Sequence, residues 1–352
     1  MSVKQRDVAV IIVNFRTADL AIRSVEALAG ERAALPKLEV VIVDGGSGDG
    51  SAQKLAGFAS QKELASWVTV LALPINGGFG WANNQAILRM LGRPNAPEFV
   101  HLLNPDAEVE PGAVVALLED LIRHPRTGAT GSQLFDEDGR PTASAFRFLT
   151  LRHELARGAQ TGLLERLIFI RPVTMPVLTE RRAVEWVTGA SVMFRMEALR
   201  EVGLFDDGFF LYHEELDLMR RLSRAGWSIG HEPRSRVRHI GGASTGVDER
   251  AMANQRRPRK PAYWYQSRRL YFLRAHGRMV AAGAAIAWLV GHGIWKARYI
   301  LGLAPNTHPS VAELRDHLRH GFPRRSDLRG GPVRWNSPVD IPPAWMRILR
   351  GD

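Results

Sequence analysis

Three carboxylates stand within four positions in Phe209-Phe-Leu-Tyr-His-Glu-Glu-Leu-Asp217, beside three aromatic residues. Crowded acids oppose one another's charge and raise a pKa, which suits a general base. Helical spacing puts Glu214 and Asp217 on one face and points Glu215 elsewhere. The plainer alternative is an acidic helix N-terminus complementing the helix dipole. Another acid, Asp106, lies in Leu102-Leu-Asn-Pro-Asp-Ala-Glu108, just past an apolar run and behind a stiffening proline. Such a carboxylate can hold a divalent cation against the phosphates of a nucleotide-sugar, or equally cap a helix ahead of Pro111.

Asp44-Gly-Gly-Ser-Gly-Asp-Gly-Ser51 offers a carboxylate at the end of an apolar run, followed by small residues that let a nucleotide approach the backbone. Read alone, the same stretch is a turn with Ser51 capping the next helix. His239, in Val237-Arg-His-Ile-Gly-Gly-Ala-Ser244, is a lone imidazole, and only neighbouring ligands would make it more than a structural hydrogen-bonder. The turn after the first apolar run is Asn14-Phe-Arg-Thr17, and Asn76-Gly-Gly-Phe-Gly80 has the wrong spacing for a dinucleotide fingerprint. A Rossmann dehydrogenase is therefore disfavoured.

The elements that must carry these residues are legible as well. Residues 8–14, 39–44, 68–72 and 99–103 are short, largely β-branched apolar runs, the pattern of strands covered on both faces. Helical spacing falls between them, at 18–29, 51–65, 80–92 and 111–124. This alternation predicts an α/β sheet, with the ligand site where the strands' carboxyl ends open into loops. Residues 140–185 are less patterned and read as a variable insertion or flap; 246–261 read as a charged linker.

The chain has 352 residues, 45% of them hydrophobic and 24% charged, an ordinary balance for a folded protein. With no cysteine, thiolate metal sites and thiol nucleophiles are excluded. The net charge of +11 is C-terminal: from Asp248 onward 19 Lys and Arg face 7 Asp and Glu, whereas the first 247 residues hold 28 against 29. That near-neutral body argues against nucleic acid as a partner. Within the basic region Met279–Trp295 is apolar with basic flanks, as in a helix lying on anionic lipid, or in a buried helix with solvated ends. The N-terminus lacks the pattern of a signal peptide, so a cytoplasmic location is expected, peripheral on the inner face of the plasma membrane.

Five ordered motifs carry a resemblance: VAVIIVNFRT, VIVDGGSGDGS, NGGFGWANNQAI, LLNPDAEVEPGAV, and GASVMFR with VGLFDDGFFLYHEELDLMRR and VRHIGGAS. Together they resemble family 2 glycosyltransferases of the rhamnosyltransferase-like branch in bacterial cell-surface polysaccharide synthesis. The resemblance implies a GT-A fold, an α/β architecture with a mixed, mainly parallel sheet and helices on both faces. That domain would span 1–245, followed by a basic linker and helical C-terminal region over 246–352.

The activity implied is inverting transfer of a sugar, rhamnose in this branch, from a nucleotide-diphosphate donor to a glycan or lipid-linked acceptor, with Mg²⁺ or Mn²⁺ as cofactor. Asn14, Arg16, Asp44, Gly46 and Ser47 would enclose the nucleoside. Asn76, Gly78, Phe79, Asn83 and Asn84 would line the donor pocket, joined by Asn104, Gly189 and Ala190. Asp106 and His239 would be the metal or diphosphate ligands. The family's Glu-Asp pair falls on Glu214-Glu215, making Glu215 the implied base, with Glu214 and Asp217 orienting it. Three positions depart from the pattern: Asn104 replaces the first acid of the D-x-D, Gly45 replaces an acid after Asp44, and Glu215 is one methylene longer than aspartate. A sugar-1-phosphate nucleotidyltransferase or an inactive carbohydrate-binding homologue are the other readings of such a chain.

Overall fold

The computed structural model describes residues 3–167, 169–241, 259–304 and 311–350. Strands and helices alternate first as β1 (Val8–Asn14), α1 (Ala18–Ala29), β2 (Leu38–Asp44), α2 (Ser51–Ala59), β3 (Val68–Ala72), α3 (Phe79–Leu91), β4 (Phe99–Leu103), β5 (Ala107–Val109) and α4 (Ala113–Arg123). There follow β6 (Thr127–Phe135), β7 (Ala145–Phe146), α5 (Leu151–Ala159), α6 (Gly162–Leu167), β8 (Arg182–Val184), β9 (Trp186–Val187), β10 (Ser191–Arg195), α7 (Met196–Val202), α8 (Glu214–Arg224) and β11 (Ser228–His239). The C-terminal helices are α9 (Ala262–His276), α10 (Arg278–Ile300), α11 (Val311–His320) and α12 (Ala344–Arg350). Only α2 falls clearly short of its predicted length, because residues 60–67 tighten into successive turns, with Leu64 N bonded to Gln61 O at 2.9 Å.

A nine-stranded sheet runs β3-β2-β1-β4-β10-β6-β11-β5, with β8 also on β11. β3, β2, β1, β4, β6 and β11 point one way, and β10, β5 and β8 the other, so the sheet is mixed and mainly parallel. Alternation along β1 supplies both faces of the core. Val8, Val10 and Ile12 pack against α1, α2 and α4, while Ala9 and Ile11 pack against α3, α7 and α8. Each fully buried aliphatic side chain stabilises the fold by roughly 1.5–3 kcal/mol, so double-sided burial holds the strand ends firmly.

Register then decides which loops meet. β1 pairs with β2 so that Asn14 sits beside Asp44. β10 pairs antiparallel with β4, Ser191 opposite Leu103, which brings Gly189 and Ala190 against Asn104. β11 pairs antiparallel with β5, His239 opposite Ala107, which brings the imidazole beside Asp106. Residues far apart in the chain converge because of three strand pairings.

The segment expected to be an insertion or flap is docked rather than loose. α5 lies against α10 so closely that a Cβ on Gly291 would stand 2.1 Å from Leu155 O, and one on Gly158 would stand 2.3 Å from Trp288 O. Only glycine fits at that crossing. α9 packs with Phe148, Phe209 and Leu216 in a further apolar cluster, joining the C-terminal helices to the body. The proposed boundary near 246 and the end of the VRHIGGAS motif fall outside the described residues.

Candidate active site

The carboxyl ends of the strands open into a cleft of about 430 Å³. Asn104, Asp106 and His239 line it together with Asn76, Gly78 and Phe79, and Glu214 and Glu215 form a wall beside Gly189, where a Cβ would lie 3.7 Å from both Glu215 Cγ and Phe79 Cε1. Gly78 has φ +92°, and a Cβ there would meet Phe210 O at 1.9 Å, so glycine alone allows the donor-side loop to touch the loop before α8. Phe79 N donates to that same carbonyl at 3.2 Å.

The approach to the acids is strained. Tyr212 and His213 both have φ +69°, an uncommon conformation for bulky side chains. That kink starts α8 with Glu214 and aims both glutamates into the cleft. Neither Glu214 Oε2 nor Glu215 Oε2 has a hydrogen-bond partner among the described residues. Burial raises the Glu215 pKa, and burial together with the Glu215 charge raises that of Glu214 well above the usual carboxylate range. Burial is the larger cause, ahead of the crowding that sequence spacing suggested.

Asp217 behaves differently, which corrects the assignment of faces. It turns away from the cleft to accept from Arg221 Nε at 2.9 Å, and Arg221 in turn donates to the carbonyls of Val202, Gly203 and Leu204. Glu214 and Glu215 share the cleft instead, since two long side chains in the first turn of a helix can both reach a cavity at its end. Asp217 anchors α8 and does not face the cleft.

In the same cleft, His239 Nε2 lies 3.2 Å from Asp106 Oδ1 and 3.3 Å from Asn104 Nδ2. One ring nitrogen cannot donate to the carboxylate and accept from the amide at once. Asp106 caps no helix: Gly112 precedes α4. Ser51 is likewise not a cap; Gly50 takes that place, and Ser51 N donates to Asp49 Oδ1 at 3.0 Å.

The second loop is built around Asp44. Its carboxylate accepts from Asn14 Nδ2 at 2.7 Å, Ser47 Oγ at 2.6 Å and Ser47 N at 3.1 Å. Arg16, at φ +60°, bonds through its own N to Ser47 Oγ and through Nε to Ser47 O. Asp44 and Gly46 line a separate open groove beside the main cleft, with Gly48, Gln53 and Pro74. Asn14, Arg16 and Ser47 therefore shape the loop without lining the main cleft.

Two further expectations are corrected. Asn84 is buried in α3 and clamps Phe205, donating to its carbonyl at 2.9 Å and accepting from its N at 3.0 Å. Asn83 is equally buried and donates to Phe79 O at 3.0 Å. Neither lines the cleft, because α3 turns that face into the core. Conversely, sequence reasoning missed Tyr263, which enters the cleft from α9. Its ring lies 5.2 Å from Phe210 and 6.1 Å from Tyr212, while Phe210 also meets Trp345, whose Nε1 donates to Gly77 O. No local pattern marks Tyr263, since only tertiary packing brings α9 there.

Comparisons with known proteins agree with this architecture. A family model described as glycosyl transferase family 2 matches residues 9–203, and one described as glycosyl transferase family group 2 matches 150–307. The N-acetylglucosaminyl-diphospho-decaprenol L-rhamnosyltransferase of Mycobacterium tuberculosis, in two strains, is 33% identical over 222 residues, covering 60% of this chain and 69% of its own. Mannosyltransferase PcManGT from Pyrobaculum calidifontis, solved with GDP-Man and Mn2+, has a TM-score of 0.52 at 16% identity, over 89% of this chain and 80% of its own. GalNAc-T7 with UDP, GalNAc and Mn2+ also reaches 0.52 at 16% identity, over 85% of this chain and 55% of its own. The structural likenesses establish the GT-A fold, and the family match sets aside both the nucleotidyltransferase and the inactive-binder readings. This chain belongs to glycosyl transferase family 2 and is a rhamnosyltransferase-like enzyme of that family.

Proposed function

We propose that this enzyme moves rhamnose, with inversion, from a nucleotide-diphosphate donor to a hydroxyl of a lipid-linked glycan in cell-surface polysaccharide synthesis. The observation that carries the reading is one cleft lined both by two glutamates with oxygens unpartnered among the described residues and by the Asp106–His239 pair. The relative's name adds a rhamnosyl donor and an N-acetylglucosaminyl-diphospho-decaprenol acceptor.

Glu215 takes the proton of the acceptor hydroxyl. That oxygen then bonds to the anomeric carbon from one face as the carbon's bond to the diphosphate oxygen breaks on the other, so the configuration inverts. Burial raises both carboxyls, so the crowded pair does not carry two charges at once, and Glu214 orients its neighbour. The groove beside Asp44 takes the nucleoside, with the Asn14–Asp44–Ser47 bonds holding its shape.

Asp106 and His239 suit Mg²⁺ or Mn²⁺. Such ions bind through one or two protein ligands plus phosphate oxygens and water, and no group of three acidic or histidine side chains gathers among the described residues. The conflicting demands on His239 Nε2 also resolve if its lone pair meets a cation. When bound, the cation would neutralise charge on the departing diphosphate. Because the acceptor is lipid-linked, the enzyme works at the cytoplasmic face of the membrane as a peripheral protein.

The test is transfer from radiolabelled UDP-, dTDP- and GDP-sugars to a polyprenyl-diphosphate-linked N-acetylglucosamine, preceded by thermal shifts with Mn²⁺. A donor at 100 times its Kd adds about 2.7 kcal/mol to stability. A rhamnosyl donor that stabilises and transfers supports the proposal; transfer only of another sugar, or none, contradicts it.

A further inference from the structure

Large exposed apolar side chains recur on two helices that both adjoin α5. Leu163 and Leu167 on α6, Phe169 just beyond it, and Met279, Ile286 and Val290 on α10 are all exposed, Phe169 at 88% and Met279 at 85%. On α10 they form one stripe, since positions 279, 286 and 290 recur at helical spacing. Gly283 belongs to that stripe, and a Cβ on it would lie 3.8 Å from the half-exposed Leu151 at the start of α5. At the far end Arg298 Nη1 donates to Ala159 O at 3.2 Å, tying α10 to the end of α5 just ahead of α6. α5 is thus tied to α10 near both ends of the long helix, and only two residues separate α5 from α6.

α10 is long and apolar enough to cross a membrane by length and composition. Its inner face is already occupied, however: Ala281, Ala284, Ala285 and Trp288 are buried, and Gly291 touches α5. Removing it into a bilayer would expose those contacts. Lying on a surface costs none of them.

Charge names the surface. Between Glu249 and Glu313 the chain has no acidic residue, and although Arg259, Arg268, Arg269 and Arg274 pair with Asp316, Glu154, Asp327 and Asp206, cations on α10 stay at the surface. Arg278 and Lys296 are exposed near the two ends of the stripe, and Arg152 on α5, Arg166 on α6 and Arg171 beyond it are exposed as well. An apolar stripe rimmed by long cations fits anionic phospholipid, with the stems buried and the heads at the phosphates. The same pair of helices reaches the cleft: α9 starts beside Tyr263 and leads straight into α10, about 20 Å along its axis.

We propose that α6 and the outer stripe of α10 form a single docking face for anionic phospholipid. The proposal deepens the peripheral reading above and rests on it. The test is co-sedimentation of the full chain with vesicles of phosphatidylcholine, with and without phosphatidylglycerol, at low and high salt. Wild type should bind the anionic vesicles in a salt-sensitive way and the neutral ones far less. Lys296→Glu should weaken binding by at least about fivefold, the effect of one cation near such a surface. Phe169→Asp and the double variant Ile286→Asp, Val290→Asp should weaken it as much or more, while transfer to a short-chain soluble acceptor stays at the wild-type rate. Phe169 is so exposed that its substitution leaves the core untouched, which guards against misfolding of the helix variants. Unchanged binding in all variants overturns this face but spares the peripheral reading; no binding by wild type overturns both. If wild type is a dimer that the variants split, and anionic vesicles do not bind, a second copy covers the face and the proposal fails.

Discussion

The loop around Asp44 and the wall formed by Glu214 and Glu215 are both acidic and both sit at the mouth of the sheet, yet their chemistry is opposite. Asp44 spends its oxygens on Asn14 and Ser47, so its charge is fully answered by the protein. The two glutamates each keep a buried oxygen without a partner among the described residues, and burial holds both carboxyls above their ordinary pKa. A satisfied carboxylate makes shape. An unsatisfied one is poised to take a proton, and its desolvation cost persists only because the surrounding fold over-determines it.

The sharpest way to break this contrast is Glu215→Gln, which removes the base without changing size. Transfer should fall about 10²–10⁴-fold with donor affinity nearly unchanged, read from kcat and from calorimetric donor binding. Glu215→Asp should recover part of the rate, because the base returns with a shorter reach. Next in size, Asp106→Ala and His239→Ala should each weaken Mn²⁺-dependent nucleoside diphosphate binding by at least about tenfold, measured by calorimetry, while the fold stays intact. Unchanged affinity in both would remove the cation from this site.

Asp217→Asn should act on stability instead of chemistry. It weakens the link through Arg221 to the carbonyls of Val202, Gly203 and Leu204, and should cost roughly 1.5–3 kcal/mol in urea unfolding, with kcat near wild type. The smallest effect is on pH. A base with a raised pKa is active only above that pKa, so the acidic limb of kcat/KM should lie above the ordinary carboxylate range. Glu214→Gln keeps a neutral side chain of the same size beside the base, and should leave that limb within about half a unit of wild type. A clear shift to lower pH would mean that Glu214 carries its charge beside Glu215.

The first four strands were legible because β-branched runs such as VAVIIVN need no tertiary information to announce burial on both faces, and the loops that follow them had to hold the site; β5 to β11 were not read, since segments such as TGATGSQLF of β6 carry no such run. Pairing then did what spacing alone could not, setting Asn14 beside Asp44 and His239 beside Asp106. What stayed hidden depended on long-range packing. Asn83 and Asn84 look like pocket polar residues in NGGFGWANNQAI, but α3 turns them inward to clamp Phe79 and Phe205. Spacing also placed Glu214 with Asp217, whereas the Asp217 side chain is taken up by Arg221 and only the two glutamates line the cleft. Tyr263 and the docking of α5 on α10 join segments more than a hundred residues apart for the helix pair, and no local pattern reports such contacts.

The central claim is that one acidic region supplies shape and the other supplies the proton acceptor. It is tested most directly by measuring donor affinity and the single-turnover transfer rate at saturating donor in Glu215→Gln and Asp44→Asn side by side. The account predicts opposite losses: Glu215→Gln binds donor as wild type does and loses the rate, whereas Asp44→Asn loses affinity or stability and retains most of the rate once donor is saturating. A Glu215→Gln enzyme that still turns over near the wild-type rate would contradict the account and move the base to Glu214.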